Sequence, residues 1–373
     1  MVVEMAARPV VDADLGDIAK FLTLSFGGSE SHYRQLFSYW WENNASWHRG
    51  LPKGWVIKSQ DADIIAFTAN IPFAYVINGQ AGKCFVTGYT CVDENWRGHK
   101  LSKKIGSAFL AQDDADLLIG TDSTPPAYQL WLGLGMRPLQ RNWREKSCRV
   151  LGGADHLLDA RRPFSRVLGP TLGGLGRAVI ALAKMSSPAR SRGLTARRIL
   201  SFNVPGSERI ETFSAAQSAT TYAVRDRETL DWMYFGCDYV RENRAVFAAF
   251  DGGSIVGYLA VKRIVNSFYL LECRCENADP EIARVLIWAA RDHAESLGIS
   301  FINMWRYAPM IADAIPTMCS TTYRSIHMMT YCYRSNRGPI DHTRRGGNPS
   351  YLPGISVESV LAAMEKRLAG QHE

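Results

Sequence analysis

The segment from Trp96 to Ile105, WRGHKLSKKI, combines residue types that are suited to binding an anion. It follows an apolar run over residues 85–92 that is typical of a buried strand, and the spacing of its apolar residues predicts that a helix begins here. A strand that ends in a glycine-containing turn before a helix directs backbone N–H groups and the positive end of the helix dipole to one point. The turn is therefore predicted to bind a phosphate or pyrophosphate. The basic side chains around it are Arg97, His99, Lys100, Lys103 and Lys104.

Alternating helices and strands are predicted on both sides of this turn. Apolar residues with a period near 3.6 predict helices, and short apolar runs bounded by turn residues predict strands. Asn78-Gly79 is a hairpin signal, and Gly135 is a plausible end of the last helix. The predicted helices are Asp14–Phe26, Tyr33–Trp41 and Ala127–Leu134, and the predicted strands are Trp55–Ile57, Ile64–Phe67, Phe73–Ile77, Phe85–Val92 and Leu117–Gly120.

An internal repeat relates this region to residues 216–335. Trp41 and Trp232 are 191 residues apart, and the same offset relates two pairs of apolar segments. One constant offset over three features predicts two copies of a single α/β unit. The related segments are residues 55–57 with 246–248 and 64–67 with 255–258, and the second copy continues with a predicted strand, Phe268–Cys273, and a predicted helix, Pro280–Glu295.

The second copy lacks the basic glycine turn. Its strand-to-helix junction reads RCENADP over residues 274–280, with no glycine. Glu276, Asp279 and Glu281 place carboxylates where the first copy has cations. An anion site is therefore not expected in the second copy.

The middle of the chain is strongly basic. Residues 161–209 contain ten Lys or Arg residues and one acid, Glu208, with several prolines and glycines. The segment reads either as a solvated linker or as a surface for an anionic substrate or a lipid headgroup, and Leu175–Met185 could form a basic helix within it. The predicted organisation is an anion-binding domain over 1–150, a basic linker over 151–215, a second domain over 216–335, and a loop with a short helix at Val357–Leu368 over 336–373.

Composition limits the function classes further. The chain is 46% hydrophobic and 21% charged, with a net charge of +7, which permits anionic small molecules or a membrane surface and does not call for DNA. No apolar run is long enough to span a bilayer, and the acidic first residues do not resemble a signal peptide. Eight scattered cysteines without a C-x-x-C pair predict reduced thiols, no metal site and a cytoplasmic location. Nothing in the sequence indicates an oligomeric state.

Two motifs resemble those of the GCN5-related N-acetyltransferases. Arg97–Ser102, after a strand ending at Val92, resembles the family's acyl-CoA pyrophosphate loop, Gln/Arg-x-x-Gly-x-Gly/Ala, and Leu130–Met136 resembles the family's later helix-end motif. The motifs cover about residues 1–145, and residues 216–335 follow by the repeat alone. The resemblance implies two tandem domains, each a mixed sheet flanked by helices, and acetyl-CoA or a longer acyl-CoA as co-substrate. The residues expected to contact it are Cys91, Val92, Arg97, Gly98, His99, Lys100, Leu101, Ser102 and Trp131.

The chain departs from the family pattern at three positions. Lys100 stands at the central glycine of the loop, Ser102 at its last small position, and Trp131 at the tyrosine that protonates the departing thiolate. Because an indole N–H is too weak an acid for that role, Tyr128 is the alternative proton donor. The further catalytic candidates are Asp122, at a strand end, and Tyr89, with Asp93 and Glu94 in the turn, whereas Cys91 is predicted to be a small packing residue.

The resemblance implies direct transfer of an acyl group to a primary amine. The tandem arrangement is similar to bacterial enzymes that acylate amino sugars on nucleotides for surface polysaccharide. The second domain is then expected to help form the acceptor pocket, with Trp232, Trp305 and Arg306 as substrate contacts. Two alternatives stay open: a FemABX-like transferase that uses aminoacyl-tRNA, and a non-catalytic protein that binds acyl-CoA.

Overall fold

The computed structural model of the chain describes most of its two α/β regions. Residues 152–192 and 338–373, with the helices predicted at 175–185 and 357–368, lie outside the described residues. The described residues are 5–120, 125–138, 146–151, 193–216, 222–264, 267–299, 301–305, 314, 320–324 and 332–337.

The first sheet contains the strand that leads into the basic turn. Its strands are antiparallel except for one parallel pair, residues 84–87 with 117–120. The strands are, in spatial order, β1 (Arg8–Pro9), β2 (Gly54–Lys58), β3 (Ile64–Ile77), β4 (Gln80–Val92), β5 (Leu117–Gly120), β15 (Cys332–Ser335) and β6 (Arg137–Pro138), with β9 (Tyr222–Ala223) paired to β3.

The second sheet repeats the order of the first. Here too a single parallel pair, residues 267–269 with 301–303, follows four antiparallel strands. The predicted fold class, two copies of a mixed sheet flanked by helices, is therefore confirmed. The strands are, in spatial order, β8 (Thr195–Ile199), β10 (Arg244–Asp251), β11 (Ser254–Ile264), β12 (Ser267–Cys275), β13 (Phe301–Trp305), β7 (Lys146–Leu151) and β14 (Ser320–Arg324).

The two copies exchange one strand each. β7 follows β6 along the chain but pairs with β13 and β14 in the second sheet. β15 follows β14 but pairs with β5 and β6 in the first sheet. β8, which falls within the predicted linker, forms an edge of the second sheet. The sheets thus divide the chain differently from the predicted boundaries, because strand pairing joins segments that are far apart in sequence.

The described residues contain three apolar cores. One lies between the helix at 101–110 and the first sheet, another between the helix at 280–296 and the second sheet, and a third is shared by both copies. In the shared core the Tyr39 hydroxyl donates to the Met233 carbonyl over 2.8 Å. The helices are α1 (Leu15–Phe26), α2 (Glu30–Phe37), α3 (Leu101–Leu110), α4 (Pro125–Gly133), α5 (Arg209–Ala216), α6 (Arg227–Phe235), α7 (Asp238–Asn243) and α8 (Pro280–Ser296), with a π-helical turn at Ser38–Glu42.

Two elements differ from the sequence prediction. The segment predicted as one helix, Tyr33–Trp41, is the end of α2 followed by the π-helical turn. The two strands predicted at Ile64–Phe67 and Phe73–Ile77 are one continuous strand, β3, which pairs with β4 on both sides of Pro72. The basic turn follows the last residue of β4, at the open end of the long β3–β4 hairpin.

Candidate active site

A bulge interrupts β4 shortly before the basic turn. Cys91 pairs with Phe67 and Gly88 pairs with Ala69, so that two residues of β4 lie opposite Thr68 alone. Tyr89, the first of them, has a φ of +51°. A bulge of this kind bends a strand and redirects the side chains that follow it.

Three threonine hydroxyls form a closed ring of hydrogen bonds at the bulge. Thr68 Oγ1 lies 2.8 Å from Thr87 Oγ1 and 2.7 Å from Thr90 Oγ1, and the last two are 3.0 Å apart. Residues three apart in a regular strand point to opposite faces, so Thr87 and Thr90 meet only because the bulge adds a residue. The ring was not predicted from the sequence, where the odd spacing of Thr87 and Thr90 was the one signal for it.

β4 extends past the end of β5, and its last residues border a cleft. The two strands pair over residues 84–87 and 117–120, and β4 then continues through the bulge to Val92. The cleft has a volume of about 830 Å³ and is bounded by β4, the basic turn, α1 and α4. Leu24, 84% exposed, lies at its edge. Its α1 wall, which sequence analysis did not identify, consists of Phe21, Leu24, Ser25 and Phe26.

The basic turn places the start of α3 at the cleft. Asp93 accepts a hydrogen bond from the Asn95 N–H over 2.8 Å, which folds a short 3₁₀ turn before Gly98. Gly98 has a φ of +88°, and open space surrounds the position a Cβ would occupy. No side chain caps α3, and its first two residues, Leu101 and Ser102, line the cleft. An uncapped helix start facing a cleft offers N–H groups and a partial positive charge to an anion.

Lys100, immediately before α3, adopts the left-handed conformation, with φ +60° and ψ +18°. Left-handed backbone costs a non-glycine residue about 1–2 kcal/mol. This explains why the resembling loops have glycine at this position. Lys100 lines the cleft and is exposed, so its ammonium adds positive charge at the helix start.

The other basic side chains of the turn differ in the groups that they contact. Arg97 lines the cleft and lies 3.1 Å from Glu94, in a pair exposed to solvent. Lys104 donates to the Met5 carbonyl over 3.0 Å, which ties it to the N-terminal segment. His99 is exposed, with its ring 5.9 Å from that of Trp96. Arg97 and Lys100 are therefore the cations that the structure brings to the cleft.

The structure does not place Tyr89 in the cleft wall. Its side chain is buried, and its ring packs against the rings of Phe26, Tyr33 and Trp40. Its immediate neighbour, Thr90, lines the cleft instead. The interpretation of Tyr89 as a proton-transferring residue consequently has no support from its position.

α4 turns its two candidate aromatic residues away from the cleft. Pro126, Ala127 and Leu130 form the α4 wall, because they share one helix face. Trp131 is 2% exposed and packs in the core beneath α3, and Tyr128 packs at the edge of the same core. Neither the expected cofactor contact of Trp131 nor the expected proton donation by Tyr128 is supported by this orientation.

Cys91 lines the cleft as a protonated thiol. Burial raises the pKa of this thiol far above its usual range, and a hydrogen bond with Ser25 only partly opposes that effect. A thiol that stays protonated is a poor nucleophile. Cys91 therefore fits the packing role that was predicted for it. Asp122, the remaining catalytic candidate, lies outside the described residues.

The second copy closes the equivalent helix start. Asp279 accepts a hydrogen bond from the Glu281 N–H over 2.8 Å, and Pro280 occupies the first position of α8. A short 3₁₀ turn at Glu276–Ala278 precedes this cap, and Glu276 pairs with Arg209. A carboxylate already occupies the position that an anionic ligand would need.

A buried ion cluster follows the bulge in β12. Both Glu272 carboxylate oxygens lie 3.1 Å from Arg225 Nε, one lies 2.9 Å from Arg274 Nε, and the Tyr234 hydroxyl donates over 2.9 Å. Burial alone would raise the pKa of Glu272, but the two guanidinium groups outweigh it and lower that pKa to about 2. In register, Arg274 holds the position that Cys91 has in the first copy.

Of the predicted acceptor residues, Trp232 lies apart from the first cleft. Trp232 is buried between the copies, where its indole N–H donates to the Tyr39 carbonyl over 2.6 Å and its ring packs near Phe73. It borders a separate cleft of about 840 Å³ on the second copy. Trp305 ends β13, while its side chain and Arg306 lie outside the described part of the chain.

The described residues contain no helix that is long and apolar enough to cross a bilayer. They also contain no group of three or more His, Cys, Asp or Glu side chains arranged to hold a metal ion.

Solved structures that superpose on this chain include acetyltransferases and an N-myristoyltransferase. A GCN5-related N-acetyltransferase from Kribbella flavida superposes with a TM-score of 0.52 at 13% identity, over 88% of this chain and 70% of that one. One from Anabaena variabilis gives 0.54 at 10% identity, over 88% and 72%. Saccharomyces cerevisiae N-myristoyltransferase with bound myristoyl-CoA gives 0.54 at 10% identity, over 94% and 90%.

Sequence comparison adds nothing to these similarities, since no family model and no curated protein matches the chain. At identities this low, structural similarity establishes the fold alone. The chain therefore has the mixed α/β fold of the GCN5-related N-acetyltransferases, with the uncapped helix start beside the end of β4 in its first copy.

Proposed function

We propose that the chain is an acyl-CoA-dependent N-acyltransferase whose donor site is the cleft of the first copy. The observation that carries the proposal is the meeting, in one cleft, of the uncapped start of α3 with the last residues of β4, Thr90 to Val92. The first feature suits a pyrophosphate and the second suits the thioester arm. The fold of the acyltransferase structures supports the same assignment.

Residues of the turn would hold the anionic part of the donor. The backbone N–H groups near Gly98, Leu101 and Ser102 lie at the cleft, with Arg97 and Lys100 supplying positive charge. The outer strand backbone at Cys91 and Val92 would supply the hydrogen-bond donor that stabilises negative charge on the thioester oxygen. Direct transfer forms a C–N bond to the carbonyl and breaks the C–S bond, and the thiolate ends with the proton that the amine loses.

The acceptor is proposed to be a primary amine, and specifically an amino sugar that is linked to a nucleotide and destined for surface polysaccharide. The basic stretch over residues 161–209 would suit the diphosphate of such an acceptor. The second copy, with Trp232, Trp305 and Arg306, would contribute to the acceptor pocket. Asp122 is proposed as the base that takes the amine proton.

A non-catalytic acyl-CoA-binding protein is the second candidate function. The orientation of α4 favours it, because Tyr128 and Trp131 both pack away from the cleft and supply no acid to the departing thiolate. This candidate shares the donor site but not the transfer step, so the two functions differ in one measurable reaction.

Two measurements test the proposal in sequence. A thermal-shift titration with CoA, acetyl-CoA and longer acyl-CoAs should stabilise the protein by about 2.7 kcal/mol when ligand reaches roughly 100 times its dissociation constant. Failure of all of them to bind would refute the donor site. Thiol release from acetyl-CoA with a panel of amines, amino sugars and nucleotide-linked amino sugars then separates an enzyme from a binding protein. Acylation that requires charged tRNA would instead identify the FemABX-like activity.

A further inference from the structure

A carboxylate lies among the cations of the basic turn. Glu94 lines the cleft together with Arg97 and Lys100, and its side chain is 82% exposed. One oxygen of this carboxylate accepts a hydrogen bond from the Arg97 guanidinium over 3.1 Å. Within the described part of the chain, Arg97 is the one polar partner of the Glu94 carboxylate. A negative charge at this point opposes the binding of a phosphate.

The fold of the turn does not depend on this carboxylate. The Asp93 carboxylate accepts from the Asn95 N–H over 2.8 Å, and the Asp93 carbonyl accepts from the Trp96 N–H over 3.0 Å. The Arg97 N–H donates over 3.3 Å to the Glu94 carbonyl, which does not involve the Glu94 side chain. The carboxylate therefore contacts Arg97 without closing the turn.

The ion pair leaves Arg97 available to a ligand. The Arg97 side chain is 66% exposed, and an exposed ion pair contributes little to stability. A phosphate binds a guanidinium group through two parallel hydrogen bonds, whereas one Glu94 oxygen holds Arg97 here. A pyrophosphate at the turn would thus take Arg97 from Glu94 and leave the Glu94 charge beside it.

The second copy also has an ion pair at its turn, but the partners come from different elements. Glu276 pairs with Arg209, which lies on α5 and not in the turn. The Glu276 side chain is 27% exposed, so this pair is less open to solvent than the pair of the first copy. An arginine that belongs to the turn itself, as Arg97 does, can change partners without displacing a helix.

We propose that Glu94 competes with the phosphates of a bound donor for Arg97 and thereby lowers the affinity of the cleft for CoA. This inference rests on the proposed function of the cleft as an acyl-CoA site. In the free protein Glu94 neutralises Arg97, and in the complex it repels the pyrophosphate, so both states disfavour tight binding. For a transferase, weaker binding of the CoA product speeds its release.

Affinity for CoA tests the inference without knowledge of the acceptor. Dissociation constants are measured by isothermal titration for the full-length wild type and its Glu94→Gln variant, at about 50 mM salt so that exposed charges are weakly screened. Glu94→Gln keeps the size of the side chain and removes its charge. The variant should bind CoA at least about fivefold more tightly than the wild type, as expected for the loss of one unit charge near the phosphates.

Two control variants separate competition for Arg97 from a change in net charge. Asp238→Asn removes a carboxylate from a similar exposed pair outside the cleft, where Asp238 lies 3.5 Å from Arg241, also three residues away. It changes the net charge equally and should alter CoA affinity by less than about twofold. In an Arg97→Gln background, Glu94→Gln should raise the affinity by less than about twofold, because the contested guanidinium is absent.

Each outcome of these titrations decides the inference. An unchanged or weaker affinity in Glu94→Gln, an equal gain in Asp238→Asn, or a full gain in the Arg97→Gln background would overturn it. Failure of both the wild type and Glu94→Gln to bind CoA would refute the proposed function instead.

Discussion

The strand–turn–helix junction occurs twice in this chain, and its two copies present different groups to solvent. In the first copy the junction leads from β4 to α3, passes through Gly98 and Lys100, and leaves the helix uncapped beside a cleft. In the second copy it leads from β12 to α8, where Asp279 caps the helix. Both junctions include a residue with positive φ, Lys100 at +60° and Asn277 at +52°.

The comparison shows that a similar backbone path does not by itself make an anion site. The path of the chain is similar in both copies, so the proposed anion site depends on a few side chains placed on that path. A carboxylate at the cap takes up the N–H groups that a phosphate would need. At the register position that follows the bulge, the first copy has the neutral Cys91 and the second has Arg274 within an ion cluster. One copy has an open site, and the other has filled the same region with internal partners.

The largest expected effect concerns stability and comes from the ion cluster. Arg274→Met removes a guanidinium group that pairs with the buried Glu272 and should lower the free energy of unfolding by about 3 kcal/mol. Cys91→Ser, at the equivalent register position of the first copy, should cost less than about 1 kcal/mol. Urea unfolding measures the free energy of unfolding of both variants, and equal losses of stability would contradict the prediction.

The same cluster predicts a pH dependence. The pKa of Glu272 is about 2 in the folded chain and 4.5 in its ordinary state, so the unfolded chain takes up its proton first as pH falls. The stabilisation is complete above pH 4.5 and is lost as pH falls towards about 2. Arg274→Met should raise the Glu272 pKa and move this loss to higher pH. Free energies of unfolding are measured between pH 2 and 7 for the wild type and for Arg274→Met. Identical pH profiles for these two proteins would contradict the prediction.

The next prediction concerns CoA binding and a substitution that disrupts the first junction. Gly98 has a φ of +88°, which proline cannot adopt, so Gly98→Pro should abolish the CoA-induced stabilisation of about 2.7 kcal/mol. Asn277→Pro makes the corresponding change in the second copy and should lower the melting temperature of the free protein while leaving the CoA-induced shift intact. A shift that disappears in Asn277→Pro but survives in Gly98→Pro would assign the site to the other copy.

A smaller effect is expected from exchanging the residues at the two helix starts. Lys100→Asp places a carboxylate before α3 and should weaken CoA binding by at least about tenfold, because it replaces attraction of the phosphates by repulsion. Asp279→Lys uncaps α8 at a cost of about 1 kcal/mol and should create no second site, since Glu276 and Glu281 remain. Isothermal titration gives the affinity and stoichiometry, and two bound CoA molecules in Asp279→Lys would show that the cap alone decides.

The smallest effect is expected at α4. Tyr128 packs at the edge of a core and turns away from the cleft, so Tyr128→Phe should change the rate of thiol release by less than about twofold. A loss of a hundredfold or more would show that Tyr128 reaches the departing thiolate in the complex.

The fold was accessible from sequence because its signals are local and repeated. The 191-residue offset identified both copies, and the strands at 54–58 and 244–251 lie where it placed them. The cleft-lining residues of the basic turn also followed from local pattern, since a strand, a glycine turn and a helix occur in direct succession. These features depend on residues that are neighbours along the chain.

The remaining features depend on residues that are distant or on backbone angles. The rotation of α4, which buries Trp131 and turns Tyr128 away, is set by packing against α3 and the first sheet. The left-handed conformation of Tyr89 follows from pairing of β4 with β3, which no local pattern encodes. Strand exchange escaped prediction for the same reason, because short strands such as β15 contain no information about which sheet receives them.

The exchanged strands determine the order in which this protein can be completed during synthesis. Gly120, at the end of β5, lies against Cys332 of β15, 212 residues later. The half that carries the proposed anion site is therefore finished only when nearly the whole chain has left the ribosome, and β5 has an unpaired edge until then. Neither half is a self-sufficient unit that gene truncation could release. The first copy needs a strand, β15, that follows the second copy along the chain.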